Sequence, residues 1–311
     1  MVSTKKTKKV LISIIIAFII FAIISFSATV LIYNSTFPRY DCNITAFADE
    51  LQQIIDFRQN FNYKSGKNTL SGFLYNSTLA NKKDTLVILA PGHNACADSY
   101  LWQIKELLDY GWSVFAFDTT GSCHSEGKSN VGFSQEILDL KATLEYINSQ
   151  KNLGYGNIAL LGHSRGGYAV CCSLAFDYDI SAVISVSGVN SAMDAIMGAS
   201  SQYVGKIAFL NYPFLWGYQA MLFGADTVNL KANEILAEST TPTLLIHGAD
   251  DTTYPTDKYS IVSQIKDKKI EILIRRSPDN SGHTNLLFSK DGTADDEIIE
   301  KINEFLLDNT K

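Results

Sequence analysis

The sequence lacks a concentration of positive charge in its main part. It contains 26 Lys and Arg residues against 32 Asp and Glu residues, which gives a net charge of −6. It has no basic stripe and no run in which basic and aromatic residues alternate. Because nucleic-acid binding depends on such features, nucleic acid is not an expected partner. Internal repeats are also missing, and 311 residues are enough for one catalytic α/β domain with a full-sized core.

Cysteine is scarce, and its odd number excludes complete pairing within the chain. Cys171 and Cys172, the last two in the chain, are expected to be small buried residues of one helix. Two others follow neighbouring predicted strands, where they either form a disulfide in an oxidising compartment or remain free thiols. Together with His93 and His124 they also form a possible zinc-binding set, although a closed zinc site needs four converging ligands. The five residues are Cys42, Cys96, Cys123, Cys171 and Cys172, with Cys96 and Cys123 as the candidate pair.

Charge is absent from residues 10–33, which follow Lys5, Lys6, Lys8 and Lys9. Twenty-four helical residues span about 36 Å, enough to cross a hydrocarbon core of about 30 Å. A cleaved signal peptide ending near residues 25–28 is the alternative. The apolar run resumes at residues 30–33, which favours an uncleaved anchor. Because the lysines precede the span, the N-terminus is expected in the cytoplasm and the chain after the span outside the cell. The protein is thus predicted to be a single-pass protein of the cell membrane.

The remaining sequence alternates between strand-like and helix-like segments, which predicts a mostly parallel sheet with helices on both faces. Residues 57–311 form the predicted catalytic domain, after a basic tail (1–9), the anchor (10–33) and a tether (34–56) with a short helix near residues 46–55. The alternation stops between residues 187 and 242, which predicts a small helical cap over about 189–240. Its many aromatic residues are either the core of the cap or the wall of an apolar acyl pocket. Strands are predicted at 85–89, 113–117, 157–161, 182–186, 242–247 and 269–275, after a hairpin (61–63 and 70–75), and helices at 98–110, 133–149 and 295–307.

One pentapeptide contains a candidate nucleophile, Ser164. It lies between an apolar predicted strand and a predicted helix, and it reads Gly162, His163, Ser164, Arg165 and Gly166. Two glycines at this spacing permit a sharp turn that holds the serine hydroxyl above the end of the strand. A serine hydroxyl is a poor nucleophile, so it needs a histidine base and a carboxylate that orients the histidine.

Both partners occur later in the chain. His283 lies in a loop before the last predicted helix, and of the five histidines it alone lies C-terminal to a candidate acid. Asp250 and Asp251 follow the strand at 242–247. The order serine, acid, histidine is that of α/β-hydrolase enzymes, and the spacing of Gly248, Asp251 and Pro255 favours Asp251.

With these motifs the chain resembles the α/β-hydrolase superfamily, nearest to its membrane-linked or secreted esterases and serine aminopeptidases. The resemblance implies a triad of Ser164, Asp251 and His283, with no metal or organic cofactor. It also implies an oxyanion hole made by the backbone N–H groups of Arg165 and His93, with Asn94 in reserve. The chain departs from the family at Pro91, where a histidine is common, but a backbone donor does not depend on that side chain.

The predicted activity is hydrolysis of carboxylic esters, with a small-molecule ester or acyl compound as the substrate. A peptidase or amidase of the same fold is the alternative within the class. A catalytically silent binding protein that keeps the fold is the alternative from another class. The oligomeric state is not predicted from the sequence.

Overall fold

An eight-stranded sheet forms the centre of the computed structural model, which describes residues 2–42, 47–266 and 269–310. The strand order is β1-β2-β4-β3-β5-β6-β7-β8. Strand β2 pairs antiparallel with both β1 and β4, and every other neighbouring pair is parallel. The strands are β1 (Gln59–Ser65), β2 (Asn68–Tyr75), β3 (Thr85–Ala90), β4 (Ser113–Phe117), β5 (Asn157–His163), β6 (Ala182–Val186), β7 (Thr243–Gly248) and β8 (Glu271–Arg275).

Helices cover both faces of the sheet because its central strands are buried and mostly apolar. In β3, Leu86 and Ile88 join one core with α4 and α5, while Val87 and Leu89 join a second core with α3 and α11. This is the pattern of a parallel strand buried on both sides. The helices are α1 (Val2–Thr36), α2 (Asp49–Phe57), α3 (Leu101–Asp109), α4 (Phe133–Ser149), α5 (Arg165–Cys172), α6 (Ala192–Val204), α7 (Tyr212–Phe223), α8 (Ala225–Val228), α9 (Ala232–Glu238), α10 (Ile261–Gln264) and α11 (Asp296–Asn309).

The predicted strands and the long helices are confirmed to within about two residues. The helix predicted at 98–110 is divided, since residues Ala97–Tyr100 form a 3₁₀ turn before α3. The short helix expected near residues 46–55 is α2, which begins at Asp49, and Ala46 lies outside the described residues. Between β6 and β7 the chain forms α6 to α9 and a 3₁₀ segment at Gly205–Asn211. We call residues 187–242 the insertion.

Helix α1 is long and apolar enough over Thr7–Thr36 to cross a membrane or to act as a signal sequence, with a mean hydropathy of 3.0. Its last turns are packed into the sheet domain. Tyr33 and Phe37 are buried in the same core as α4 and α5. Beyond them, Arg39 donates to the backbone oxygens of Ser125 and Gly127, both at 2.9 Å. The first residues after α1 are therefore held against the loop that follows β4.

The same segment changes the expected disulfide. Cys123 is bonded to Cys42, and Cys96 is a free, buried thiol, so Cys123 does not pair with Cys96. The sequence pattern could not identify Cys42 because it lies in irregular chain that returns to the loop after β4. Cys96 Sγ nevertheless lies 2.7 Å from Cys42 Sγ. Burial and the nearby Asp118 raise the pKa of the Cys96 thiol to about 11. Cys171 and Cys172 are buried in α5, as expected.

Candidate active site

Ser164 occupies a strained turn between β5 and α5. Its φ of 56° and ψ of −113° are unusual for a residue with a side chain, and such strain is often found at functional positions. A Cβ on Gly162 would collide with the carbonyl of Gly166, and a Cβ on Gly166 would collide with the carbonyl of Ala90. The two glycines are therefore required for the turn itself, as the sequence pattern indicated.

The three side chains expected to form a triad lie in one hydrogen-bonded row. His283 Nε2 is 2.8 Å from Ser164 Oγ, and His283 Nδ1 is 2.7 Å from Asp251 Oδ2. With Nδ1 protonated, the imidazole donates to the carboxylate and accepts the serine hydroxyl. Ser164 follows β5, Asp251 follows β7 and His283 follows β8, so parallel strands bring the three residues to one edge of the sheet.

Asp251, and not Asp250, makes this contact. Asp251 is 3% exposed, and its Oδ1 accepts the backbone N–H groups of Thr253 at 2.8 Å and Tyr254 at 2.9 Å. Burial acts to raise the pKa of Asp251. The hydrogen bonds from His247, His283 and the Tyr254 amide outweigh that effect and hold this pKa well below its usual value. Asp250 accepts instead the hydroxyl of Ser281.

Two further histidines support the row, and sequence reasoning did not give them a role. His247, at the end of β7, is 1% exposed, and its Nε2 lies 3.1 Å from Asp251 Oδ2 and 2.7 Å from the carbonyl of Tyr254. It therefore fixes both the carboxylate and the loop that holds it. The four-residue spacing between His247 and Asp251 was the only signal in the sequence.

His163, beside the nucleophile, holds the backbone of His283. Its Nε2 donates to the carbonyl of His283 at 3.1 Å, and its Nδ1 accepts the Tyr100 hydroxyl at 3.0 Å. Tyr100 Oη in turn accepts the Gly92 N–H at 2.9 Å. Burial and the nearby His283 lower the pKa of His163 to about 4. His163 is therefore neutral near pH 7, with its proton on Nε2.

A cavity of about 310 Å³ opens beside Ser164, and His93 is one of its lining residues. Arg165 is the first residue of α5, where backbone N–H groups have no acceptor within the helix. The Gly92 amide is bonded to Tyr100, and Asn94 is the next residue after His93, with a φ of 55°. The two expected oxyanion donors thus flank the nucleophile on the β3 and β5 sides.

The Arg165 side chain points away from the cavity and is structural. It is fully buried, with Nη2 2.8 Å from Glu136 Oε2 and 3.0 Å from Thr119 Oγ1. A second nitrogen, Nη1, donates to Asn130. The side chain therefore bonds the turn at Ser164 to α4 and to the loop after β4.

The zinc-binding set considered from the sequence does not come together. The His124 imidazole is bonded to Asp118 at 2.9 Å, and the His93 ring packs against Phe37 and Phe133. Across the described ranges, the one group of three potential metal ligands consists of the sulfurs of Cys42, Cys96 and Cys123. Two of them are consumed by the disulfide.

Comparisons with known proteins agree with this architecture. Residues 85–208 match the family model for the alpha/beta hydrolase fold. The Pyrococcus furiosus esterase Pf2001 is 20% identical to this chain, and the match covers 88% of this chain and 99% of the esterase, with a TM-score of 0.64. The chain has the α/β-hydrolase fold. No sequence among the curated proteins matches it.

Other solved α/β hydrolases are similar at the level of the fold. Est1E from Butyrivibrio proteoclasticus, solved with ferulic acid, is 18% identical over 80% of this chain and 99% of its own, with a TM-score of 0.58. The acylaminoacyl peptidase of Pyrococcus horikoshii is 15% identical over 84% of this chain and 43% of its own, with a TM-score of 0.56. These neighbours share the fold, and by their names they include both esterases and a peptidase.

Proposed function

We propose that the protein is a serine hydrolase that cleaves carboxylic esters through an acyl-enzyme intermediate. The observation that carries the proposal is the row from Asp251 through His283 to Ser164, which ends at an open cavity. Nucleophile, base and orienting carboxylate act as one unit, so each of the three groups serves catalysis only when the other two are present. The complete row argues against a silent binding protein.

In the proposed reaction, Ser164 Oγ attacks the acyl carbon while His283 Nε2 takes its proton. Asp251 keeps the imidazole in the required tautomer and stabilises its positive charge. The backbone N–H groups of His93 and Arg165 hold the oxyanion, a contribution for which loss of one donor costs about 10²–10³ in rate. His283 then protonates the leaving alcohol, and water releases the acyl group by the same steps. No cofactor takes part.

The character of the cavity favours esters over aminoacyl amides. Among its described lining residues none is Lys, Arg, Asp or Glu, and Phe133, Tyr254 and Phe288 give it aromatic walls. An aminoacyl substrate would bury its ammonium group there without a partner, which is costly. Peptide or amide hydrolysis is the alternative within the class, and the structural similarity to an acylaminoacyl peptidase is why it is tested directly.

We further propose that α1 is a membrane anchor and that residues 57–311 act as the catalytic domain on the extracytoplasmic side. Four lysines precede the apolar run, which favours a cytoplasmic N-terminus. The bond between Cys42 and Cys123 supports the same side, because disulfides persist in oxidising compartments. Protease added to intact cells should degrade the catalytic domain and spare an N-terminal epitope. Protection of both would reverse the assigned topology.

The test of the activity is covalent labelling with a fluorophosphonate, followed by a substrate panel. Ser164→Ala should abolish labelling and lower kcat by about 10⁶. Ser185→Ala is the matched control, because it also removes a buried hydroxyl, from the adjacent strand β6. On p-nitrophenyl esters kcat/KM should rise severalfold from acetate to butyrate, since each buried CH₂ contributes about 0.8 kcal/mol. Faster turnover of aminoacyl p-nitroanilides than of every ester would favour the peptidase.

A further inference from the structure

The insertion lies directly against the apolar helix α1. The rings of Phe21 and Phe214 meet edge to face at 6.3 Å, and those of Phe26 and Tyr218 at 6.1 Å. Near the end of α1, Asn211 Nδ2 donates to Thr29 Oγ1 at 2.8 Å. Helix α7 therefore lies against the C-terminal half of α1, with Phe214 at Phe21 and Tyr218 between Phe26 and Tyr33.

That contact gives α7 a position relative to a bilayer. Phe21 precedes Tyr33 by twelve residues, or about 18 Å along the helix. If residues 10–33 span a hydrocarbon core of about 30 Å, Phe21 lies near its middle. Phe214, which touches Phe21, must then also lie inside the hydrocarbon. The insertion would be immersed in the leaflet next to the catalytic domain.

The outer surface of the insertion has the composition that this position requires. Outside α1, the described residues include thirteen exposed large apolar side chains, and eight of them fall within residues 203–222. That segment contains a single charged residue, Lys206. A concentrated apolar surface of this kind marks an interaction site, whereas scattered apolar residues do not. We call these eight residues the apolar patch: Tyr203, Val204, Ile207, Phe209, Leu210, Tyr212, Met221 and Leu222.

A second cavity, of about 470 Å³, lies between α1 and the insertion. The end of α1 forms one wall, and α6 with the following 3₁₀ segment forms the other. Its inner end is lined by His93, Phe133 and Tyr254, which also line the cavity beside Ser164. The two cavities are therefore neighbours, and these three side chains stand between the surface of α1 and the cavity beside the nucleophile.

The chemistry of both cavities selects an uncharged occupant. Within the described structure, neither is lined by Lys, Arg, Asp or Glu. Burial and the nearby Arg165 lower the pKa of His93 to about 4, so this residue is neutral near pH 7. An acyl chain suits such walls, while a phosphate group would find no cationic partner.

We propose that the substrate is an uncharged long-chain acyl ester of the membrane, of the acylglycerol type, that enters sideways from the bilayer between α1 and α6. Its acyl chain occupies the larger cavity, and its ester carbonyl reaches Ser164. The apolar patch holds this entrance in the leaflet. This inference rests on the ester hydrolase proposed above, and it assigns to α1 a role in forming the substrate site in addition to anchoring.

The first test blocks the larger cavity. Ala199 is exposed at the cavity wall, so Ala199→Trp fills the entrance without burying new bulk in the core. Ala225→Trp is the matched control, because Ala225 is exposed on the same insertion but is not among the lining residues of either cavity. With full-length protein in phosphatidylcholine vesicles, Ala199→Trp should lower hydrolysis of monooleoylglycerol at least tenfold and leave p-nitrophenyl butyrate within twofold.

The second test places charge on the apolar patch. Ile207→Glu and Leu210→Glu should each reduce turnover of vesicle-borne monooleoylglycerol by about tenfold or more, because a carboxylate is costly in hydrocarbon. Leu79→Glu, at an exposed apolar residue elsewhere, should have no effect. Fluorophosphonate labelling and butyrate turnover report whether each variant is folded.

The outcomes separate the two proposals. If wild-type protein neither labels nor hydrolyses butyrate, the ester hydrolase itself is refuted. If it does both, but monooleoylglycerol turnover is unaffected by Ala199→Trp and by the patch variants, lateral entry is refuted. Preferential hydrolysis of phosphatidylcholine itself over monooleoylglycerol would refute the uncharged substrate class.

Discussion

The sharpest test of the candidate site is the exchange of one aspartate for asparagine at two adjacent positions. In Asp251→Asn the remaining oxygen can still accept the backbone N–H groups of Thr253 and Tyr254, so the loop is expected to keep its shape. The new NH₂ group, however, faces His283 Nδ1, where the carboxylate oxygen lay at 2.7 Å.

The magnitude follows from the tautomer. An amide donor at Nδ1 forces that nitrogen to act as an acceptor, so the imidazole proton moves to Nε2 and points at Ser164 Oγ. The histidine can then no longer accept the serine proton. A substitution of this kind lowers kcat by about 10⁴, equivalent to about 5.4 kcal/mol of lost transition-state stabilisation.

The adjacent position supplies the control. Asp250 accepts the Ser281 hydroxyl and does not contact His283, and an asparagine can accept the same hydroxyl. Asp250→Asn should therefore change kcat less than tenfold. Esterase kinetics, fluorophosphonate labelling rates and melting temperatures would be compared for both variants. A larger loss for Asp250→Asn, or equal losses in two folded variants, would refute the assignment of Asp251.

Three further predictions follow from buried groups. With a folded pKa of about 4 against about 6.5 in the unfolded chain, His163 is protonated first in the unfolded state, so stability should fall by about 3 kcal/mol as the pH drops from 7 to 4. His163→Gln should flatten that fall in urea titrations. Cys123→Ser should allow Cys42 to bond to Cys96 on treatment with glutathione disulfide, since the two sulfurs are 2.7 Å apart, and peptide mass spectrometry should detect the new link. Arg165→Met should destabilise the fold by about 1–3 kcal/mol in chemical denaturation, because it leaves buried acceptors on Glu136, Thr119 and Asn130 without their donor.

The fold and the hydrogen-bonded row of Ser164, His283 and Asp251 could be predicted because their signals are local. Apolar runs bounded by turns define the strands. The glycines around Ser164 indicate a sharp turn, because a larger residue at either glycine would collide with the backbone. The carboxyl ends of parallel strands lie at one edge of the sheet, so the residues that follow β5, β7 and β8 were expected to lie close together. Sequence alone could not place His247, because a histidine inside an apolar strand gives no sign of what it faces.

The aromatic residues of the insertion show where sequence reasoning ended. They were expected to be either the core of the cap or the wall of a pocket. Phe223 is buried, but Tyr203 is 88% exposed, and Phe214 and Tyr218 pack against α1. The contact between two apolar helices far apart in sequence leaves no periodic signal in either, because each helix is apolar around most of its circumference.

That contact also bears on whether α1 is an anchor or a cleaved signal. Cleavage near residues 25–28 would remove Phe21 and Phe26, and Phe214 and Tyr218 would lose their partners. Helix α7 would then expose further apolar rings to water beside the apolar patch, at about 25 cal/mol for each Å² uncovered. Tyr33 and Phe37 would remain buried, so the sheet domain itself would persist. The folded insertion is thus complete only with the whole of α1 in place, which favours the proposed uncleaved anchor over a cleaved signal and makes α1 one wall of the larger cavity.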